Sequence, residues 1–118
     1  MAFDAVLADR LSKTMLTKFK DMDGLSETRM FGGFCYLLNG NMCVGIHKDT
    51  LIIRVGENAA KNLIDEPHVR AMDLTGRIMK GWATVEPGAM TADKALERFC
   101  RLAIDFVHSL PPKEKLKS

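Results

Sequence analysis

Three observations predict an α+β fold for this 118-residue sequence, a two-layer arrangement with helices on one face of an antiparallel sheet. Apolar residues recur at helical spacing near both ends of the chain. Between them, residues 29–55 carry two turn dipeptides, Asn39-Gly40 and Lys48-Asp49, which fold apolar segments back on one another. Further on, a short helical segment is followed by two more strand-like ones. The expected order is helix, three strands, helix, two strands, helix, with the helices packed on one side of the sheet.

Phe3, Val6, Leu7, Leu11, Met15, Leu16, Phe19 and Met22 mark the first helix, over residues 3–22, and Asp23-Gly24 is its natural stop. Leu25 to Thr28 reads as a short link, and Phe34 to Leu38 as a strand rich in aromatic and apolar residues. Asn39-Gly40 suits a type I′ turn, whose two central residues both need positive φ. A two-residue loop sets Leu38 opposite Asn41, Tyr36 opposite Cys43 and Cys35 opposite Val44. The second turn sets Ile46 opposite Leu51, Val44 opposite Ile53 and Met42 opposite Val55. In that register Cys35, Leu37, Met42, Val44, Ile46, Leu51, Ile53 and Val55 form one apolar face, expected to lie on the helices. Phe34, Tyr36, Leu38, Asn41, Cys43, Gly45, His47, Thr50, Ile52 and Arg54 form a mixed outer face.

Glu57 to Ile64 reads as a short helix with Ala59, Ala60, Leu63 and Ile64 inward, ended by Pro67. Val69 to Leu74 and Ile78 to Glu86 are strands about a Thr75-Gly76 turn, the second interrupted by Gly81. Thr91 is the expected N-cap of a last amphipathic helix that runs to Leu110 and stops at Pro111-Pro112. Residues 1–112 are expected to form a single domain, followed by a basic polar tail over 113–118.

Composition narrows the function classes. An apolar fraction of 47% and a charged fraction of 27% are those of a globular chain. The net charge of +2 is too mild for a dedicated nucleic-acid binder, so direct nucleic-acid binding is not expected. Cys35, Cys43 and Cys100 form no Cys-x-x-Cys pair, and the start of the chain is amphipathic rather than a secretory leader. The expected location is the reducing cytoplasm, with no membrane span.

The sequence offers few groups for chemistry, and no catalytic, cofactor or metal set is expected. Gly32-Gly33 leads into a strand rather than a helix, which suits a bulge or a close backbone crossing better than a phosphate loop. Cys35 and Cys43 leave opposite faces in the expected register, which forbids a bridge. Cys43 and His47 share a face but stand roughly 13 Å apart, too far for one ion. Cys43 beside Arg54 is the arrangement with most chemical potential, since a guanidinium lowers a thiol pKa, but no histidine can be placed near it as a base. Arg29, Arg54, Arg70, Arg77 and Lys80 could form a basic strip with Phe34, Tyr36 and Trp82 as stacking platforms. The expected partner or ligand surface is therefore Phe34, Tyr36, Cys43, Arg54, Lys80 and Trp82.

The Met30-Phe31-Gly32-Gly33 start, the turn at Gly40, the basic Arg54 closing the third strand and the Met79-Lys80-Gly81-Trp82 segment resemble the N-terminal domain of the TfoX/Sxy family of competence regulators. The Leu110-Pro111-Pro112-Lys113 ending is similar as well, so the resemblance spans about Asp4 to Pro112. It implies a secretion-chaperone-like α+β fold. It also implies a regulatory role with a protein partner in the transcriptional machinery. The missing catalytic set and the mixed outer face with Phe34, Tyr36 and Ile52 add the expectation of a non-enzymatic protein-interaction domain, whose partner could be a second copy in a homodimer. Full-length regulators carry a further C-terminal domain, and the chain is expected to be a stand-alone N-terminal domain. The competing expectation is a small anionic-ligand-binding protein or minor enzyme with a pocket near Gly32-Gly33, Arg54 and Trp82.

Overall fold

The computed structural model describes residues 4–30, 33–73 and 78–111. Helix α1 (Ala5–Lys18) begins at Asp4, whose carboxylate accepts the N–H groups of Val6 and Leu7 at 2.8 and 3.1 Å. Its buried stripe is Leu7, Leu11 and Met15, an i, i+4, i+8 series that continues into Phe19. The helix closes there, at Phe19, several residues before Asp23-Gly24. Residues expected to be a link form a strand instead, β1 (Leu25–Met30), paired along its length with β2 (Gly33–Leu38). β3 (Asn41–His47) and β4 (Thr50–Arg54) continue the meander, α2 (Glu57–Leu63) follows, and β5 (Val69–Asp73) and β6 (Ile78–Val85) complete six antiparallel strands. A 3₁₀ turn over Pro87–Ala89 leads to α3 (Asp93–His108). Its N-cap is Ala92, with no side-chain hydrogen bond, rather than Thr91. The expected α+β class holds, with one strand more than the sequence order implied.

The strand order is β1-β2-β3-β4-β6-β5, so β6 threads between β4 and the edge strand β5. Both short turns form where expected: Asn39 and Gly40 have φ of 53° and 84°, and Lys48 has φ of 57°. The β3–β4 register is also as expected, with Ile46 opposite Leu51 and Val44 opposite Ile53. The β2–β3 register is not. Leu38 opposes Asn41 and Leu37 opposes Met42, but Tyr36 then opposes Val44 and Phe34 opposes Ile46. Cys43 is an extra residue, a β-bulge that the partner strand does not match.

That one residue reverses the side-chain alternation of β2 relative to β3. Phe34, Tyr36 and Leu38 join Val44, Ile46, Leu51 and Ile53 in the core, all 7% exposed or less. Cys35, Leu37 and Met42, expected on the helix side, take the other face beside Gly45 and Ile52. Leu96, Phe99, Cys100, Ala103, Ile104 and Val107 of α3 pack over β2, β3 and β4, while α2 sits on β5 and β6 through Ala60 and Leu63. Arg98 of α3 holds Glu66, after α2, through two hydrogen bonds of 2.9 and 2.7 Å, which keep that carboxyl below its usual pKa. The pair is largely solvent-exposed, so it fixes position more than it stabilises. Among the described residues no helix is long and apolar enough to cross a membrane. The Thr75-Gly76 turn, Gly32, Arg77 and the basic tail lie outside the described residues.

Candidate functional site

The six residues expected to share one surface are divided between two sides of the sheet. Phe34, Tyr36 and Cys43 are core residues, 7%, 3% and 0% exposed. The Phe34 and Tyr36 rings meet edge to face at 5.5 Å. The Tyr36 hydroxyl donates to Glu27 Oε2 at 3.0 Å and lies 3.2 Å from Ser12 Oγ, so this buried phenol joins α1 to β1. Cys43 Sγ donates to the Tyr36 carbonyl at 3.3 Å, across the bulge.

Arg54, Lys80 and Trp82 lie together at the other side, near the far end of β4 and β6. Arg54 and Trp82 are directly opposed across the two strands, and the guanidinium sits 5.6 Å from the indole centroid. Gly81, at φ 84°, bends β6 just before the tryptophan, where the β5–β6 register also breaks between Ala71 and Asp73. The Gly81 carbonyl accepts the N–H groups of both Val55 and Gly56, at 2.9 and 3.0 Å, which pins the start of α2 to the bend.

Between α2 and this bend lies a half-open cleft of about 190 Å³. Glu57, Ala60, Lys61 and Ile64 line it from one stripe of α2 and its end, Ala71 from β5, and Lys80, Gly81 and Trp82 from β6. Ile64, expected inward, is 42% exposed, because α2 ends at Leu63 and leaves the next side chain over the cleft. Met79, just before Lys80, is 38% exposed. Among the described residues no carboxylate pairs with Arg54, Lys61 or Lys80, whereas Arg70 of the expected basic strip is matched by Glu86 at 3.6 Å.

The family model of the TfoX N-terminal domain matches residues 17–107. The chain belongs to that family. No curated protein and no solved structure matches it. The matched segment runs from the end of α1 to within one residue of the end of α3, so all six strands and the whole cleft lie inside the TfoX N-terminal domain.

Two expected constellations are not assembled in this TfoX N-terminal domain. Cys43 is not beside Arg54: the bulge turns the thiol into the core while Arg54 stacks on Trp82. Gly33, at the start of β2, is level with His47, two strands across and four residues along from Arg54, roughly 16 Å away. Gly33, Arg54 and Trp82 therefore do not line one pocket. Lys61 and Ile64 were the site residues hidden from sequence reasoning. Their one signal was the spacing of Glu57, Ala60, Lys61 and Ile64 along a single stripe.

Burial also sets the thiol chemistry. It pushes Cys43 from the ordinary 9.0 to about 12, and pushes Cys35 and Cys100 up as well. Native protein is thus expected to leave all three thiols unreactive toward Ellman's reagent at pH 8 and to release them on denaturation. In the folded state Cys43 keeps its proton between pH 9 and about 12, where an unfolded thiol loses it. The folded state then binds more protons, so stability falls as the pH rises through that window. Urea midpoints measured at pH 8 and pH 10.5 check the sign; a midpoint that rises with pH contradicts it.

Proposed function

We propose that this TfoX N-terminal domain is a non-enzymatic protein-interaction module of the cytoplasm, and that a regulatory partner docks around Trp82. The observation that carries this reading is the Arg54–Trp82 pair, with exposed Ile64 lining the same cleft as Trp82. Tryptophan and arginine dominate the binding energy of protein interfaces, and apolar side chains gathered at a surface are commonly covered by a partner. Membership of the TfoX family supports a partner in the transcriptional machinery.

Arg54, Lys61 and Lys80, with no carboxylate partner among the described residues, also favour anion binding, the competing reading. The cleft volume supports the interaction reading: about 190 Å³ falls short of the roughly 300–1,000 Å³ of small-molecule sites. It matches a single large side chain. The test compares wild-type protein with an Arg54→Glu, Trp82→Ala double variant as baits in the same lysate. Proteins retained by the wild type should be lost from the variant while its melting temperature stays within about 5 °C. Retention of the same set by both baits removes Trp82 from the interface.

A further inference from the structure

We infer that the cleft beside α2 receives one large apolar side chain from an acidic peptide segment, with the carboxylates of that segment meeting Lys61, Lys80 and Arg54. This rests on the interaction-module reading and adds the chemistry of the partner.

Three features of the cleft lead there. Its wall is apolar, built from Ala60, Ile64, Ala71 and the Trp82 ring, and its volume of about 190 Å³ holds one anchor residue rather than a folded element. Its rim is cationic. Lys61 and Lys80 line it against the single carboxylate of Glu57, and the Arg54 guanidinium, just outside the lining, lies 5.6 Å from the centroid of the Trp82 ring that does line it. Finally, these cations lack carboxylate partners among the described residues, as Lys20, Lys48 and Lys94 elsewhere on the surface do, but here three of them gather about one apolar cleft. Arg10, Lys13, Lys18, Arg70, Arg98 and Arg101 each have a carboxylate within 4 Å, whereas among the described residues Arg54, Lys61 and Lys80 have none. An apolar floor with an unmatched positive rim is complementary to an apolar residue flanked by Glu or Asp.

Two other occupants fit less well. A second copy related by a two-fold axis through this face would set the same three cations against each other, since such an interface is self-complementary. A single-stranded nucleic acid needs free aromatic faces and a longer cationic track. Here Arg54 already covers one face of Trp82, and Glu57 interrupts the track.

Trp82 is the sole tryptophan of the chain, so its emission reports on the cleft directly. The probes are short peptides with blocked ends: one with Glu and Asp around a central Leu, one with Gln and Asn in place of the acids, and one with Ala in place of Leu. The acidic Leu peptide should give a saturable change in emission, and both controls should bind at least about tenfold more weakly. Lys61→Ala and Lys80→Ala should each weaken binding about two- to fivefold, the effect of an exposed ion pair. Ile64→Asp, at an exposed position, should weaken it by more. The inference is overturned if acidic and neutral peptides bind alike or if no peptide alters the emission. It is equally overturned if an oligonucleotide or self-association produces the change at lower concentration. Its failure is separable from failure of the interaction reading. Peptides that do not bind, with a partner still lost on changing Arg54 and Trp82, remove the acidic-anchor chemistry and leave the docking site.

Discussion

Leu38→Ala should lower the free energy of unfolding by about 2–5 kcal/mol, whereas Leu37→Ala should cost less than about 1.5 kcal/mol. The two leucines are neighbours in sequence with opposite fates: Leu38 is 0% exposed within the core cluster, and Leu37 is half-buried on the other face. Their order of effect follows from the bulge at Cys43. A regular hairpin with the same Asn39-Gly40 turn and no bulge puts Leu37 on the side of Val44 and Ile46, and predicts the reverse ranking. Urea unfolding followed by far-UV circular dichroism measures both variants, and comparison at equal m-value keeps the difference a matter of the folded state. Equal costs, or a larger cost at Leu37, would contradict the bulged register.

Gly56→Ala should cost about 2–4 kcal/mol and lower the melting temperature by about 10 °C or more. Gly56 stands at φ 90° and ψ 157°, a region that only glycine adopts without strain. An added Cβ also falls 2.7 and 2.8 Å from the Phe106 ring of α3, inside normal contact. The gain from a stiffer unfolded chain, about 0.4–1 kcal/mol, is too small to offset both. The residue matters to the site because its N–H and that of Val55 share the Gly81 carbonyl. A scanning calorimetry trace unchanged by the substitution would contradict the geometry.

The parts of the fold legible in the sequence were those fixed by local signals. The α1 and α3 stripes, both turns and the β3–β4 register follow from spacing and turn chemistry alone. β1 was not legible because an edge strand obeys weak rules. Leu-Ser-Glu-Thr-Arg-Met has no clean alternation, and its place is set by pairing with β2 rather than by burial. The bulge was invisible for a different reason. Cys43 carries neither the glycine nor the proline that usually betrays one, and its hairpin turn is regular. One unmarked residue therefore exchanged the faces of β2 and divided the expected site. Arg54, Lys80 and Trp82 were the part that fell together. Lys61 and Ile64 joined them only through the docking of α2 on β6, a contact between segments with no shared pattern.

The threading of β6 between β4 and β5 has a consequence in time. The first three strands pair only with sequence neighbours, so the hairpins from β1 to β4 can close as soon as their residues are made. β4 cannot finish: Ile53 finds its second partner in Ala83, some thirty residues later. At the ordinary pace of synthesis, about 5–20 residues per second, that interval lasts roughly two to six seconds. Throughout it the Leu51-Ile52-Ile53 edge of the growing chain is an open, apolar template. The nascent chain is most exposed to mispairing and to chaperones in this window, and the α2–β5–β6 segment that carries the cleft is also the one that ends it.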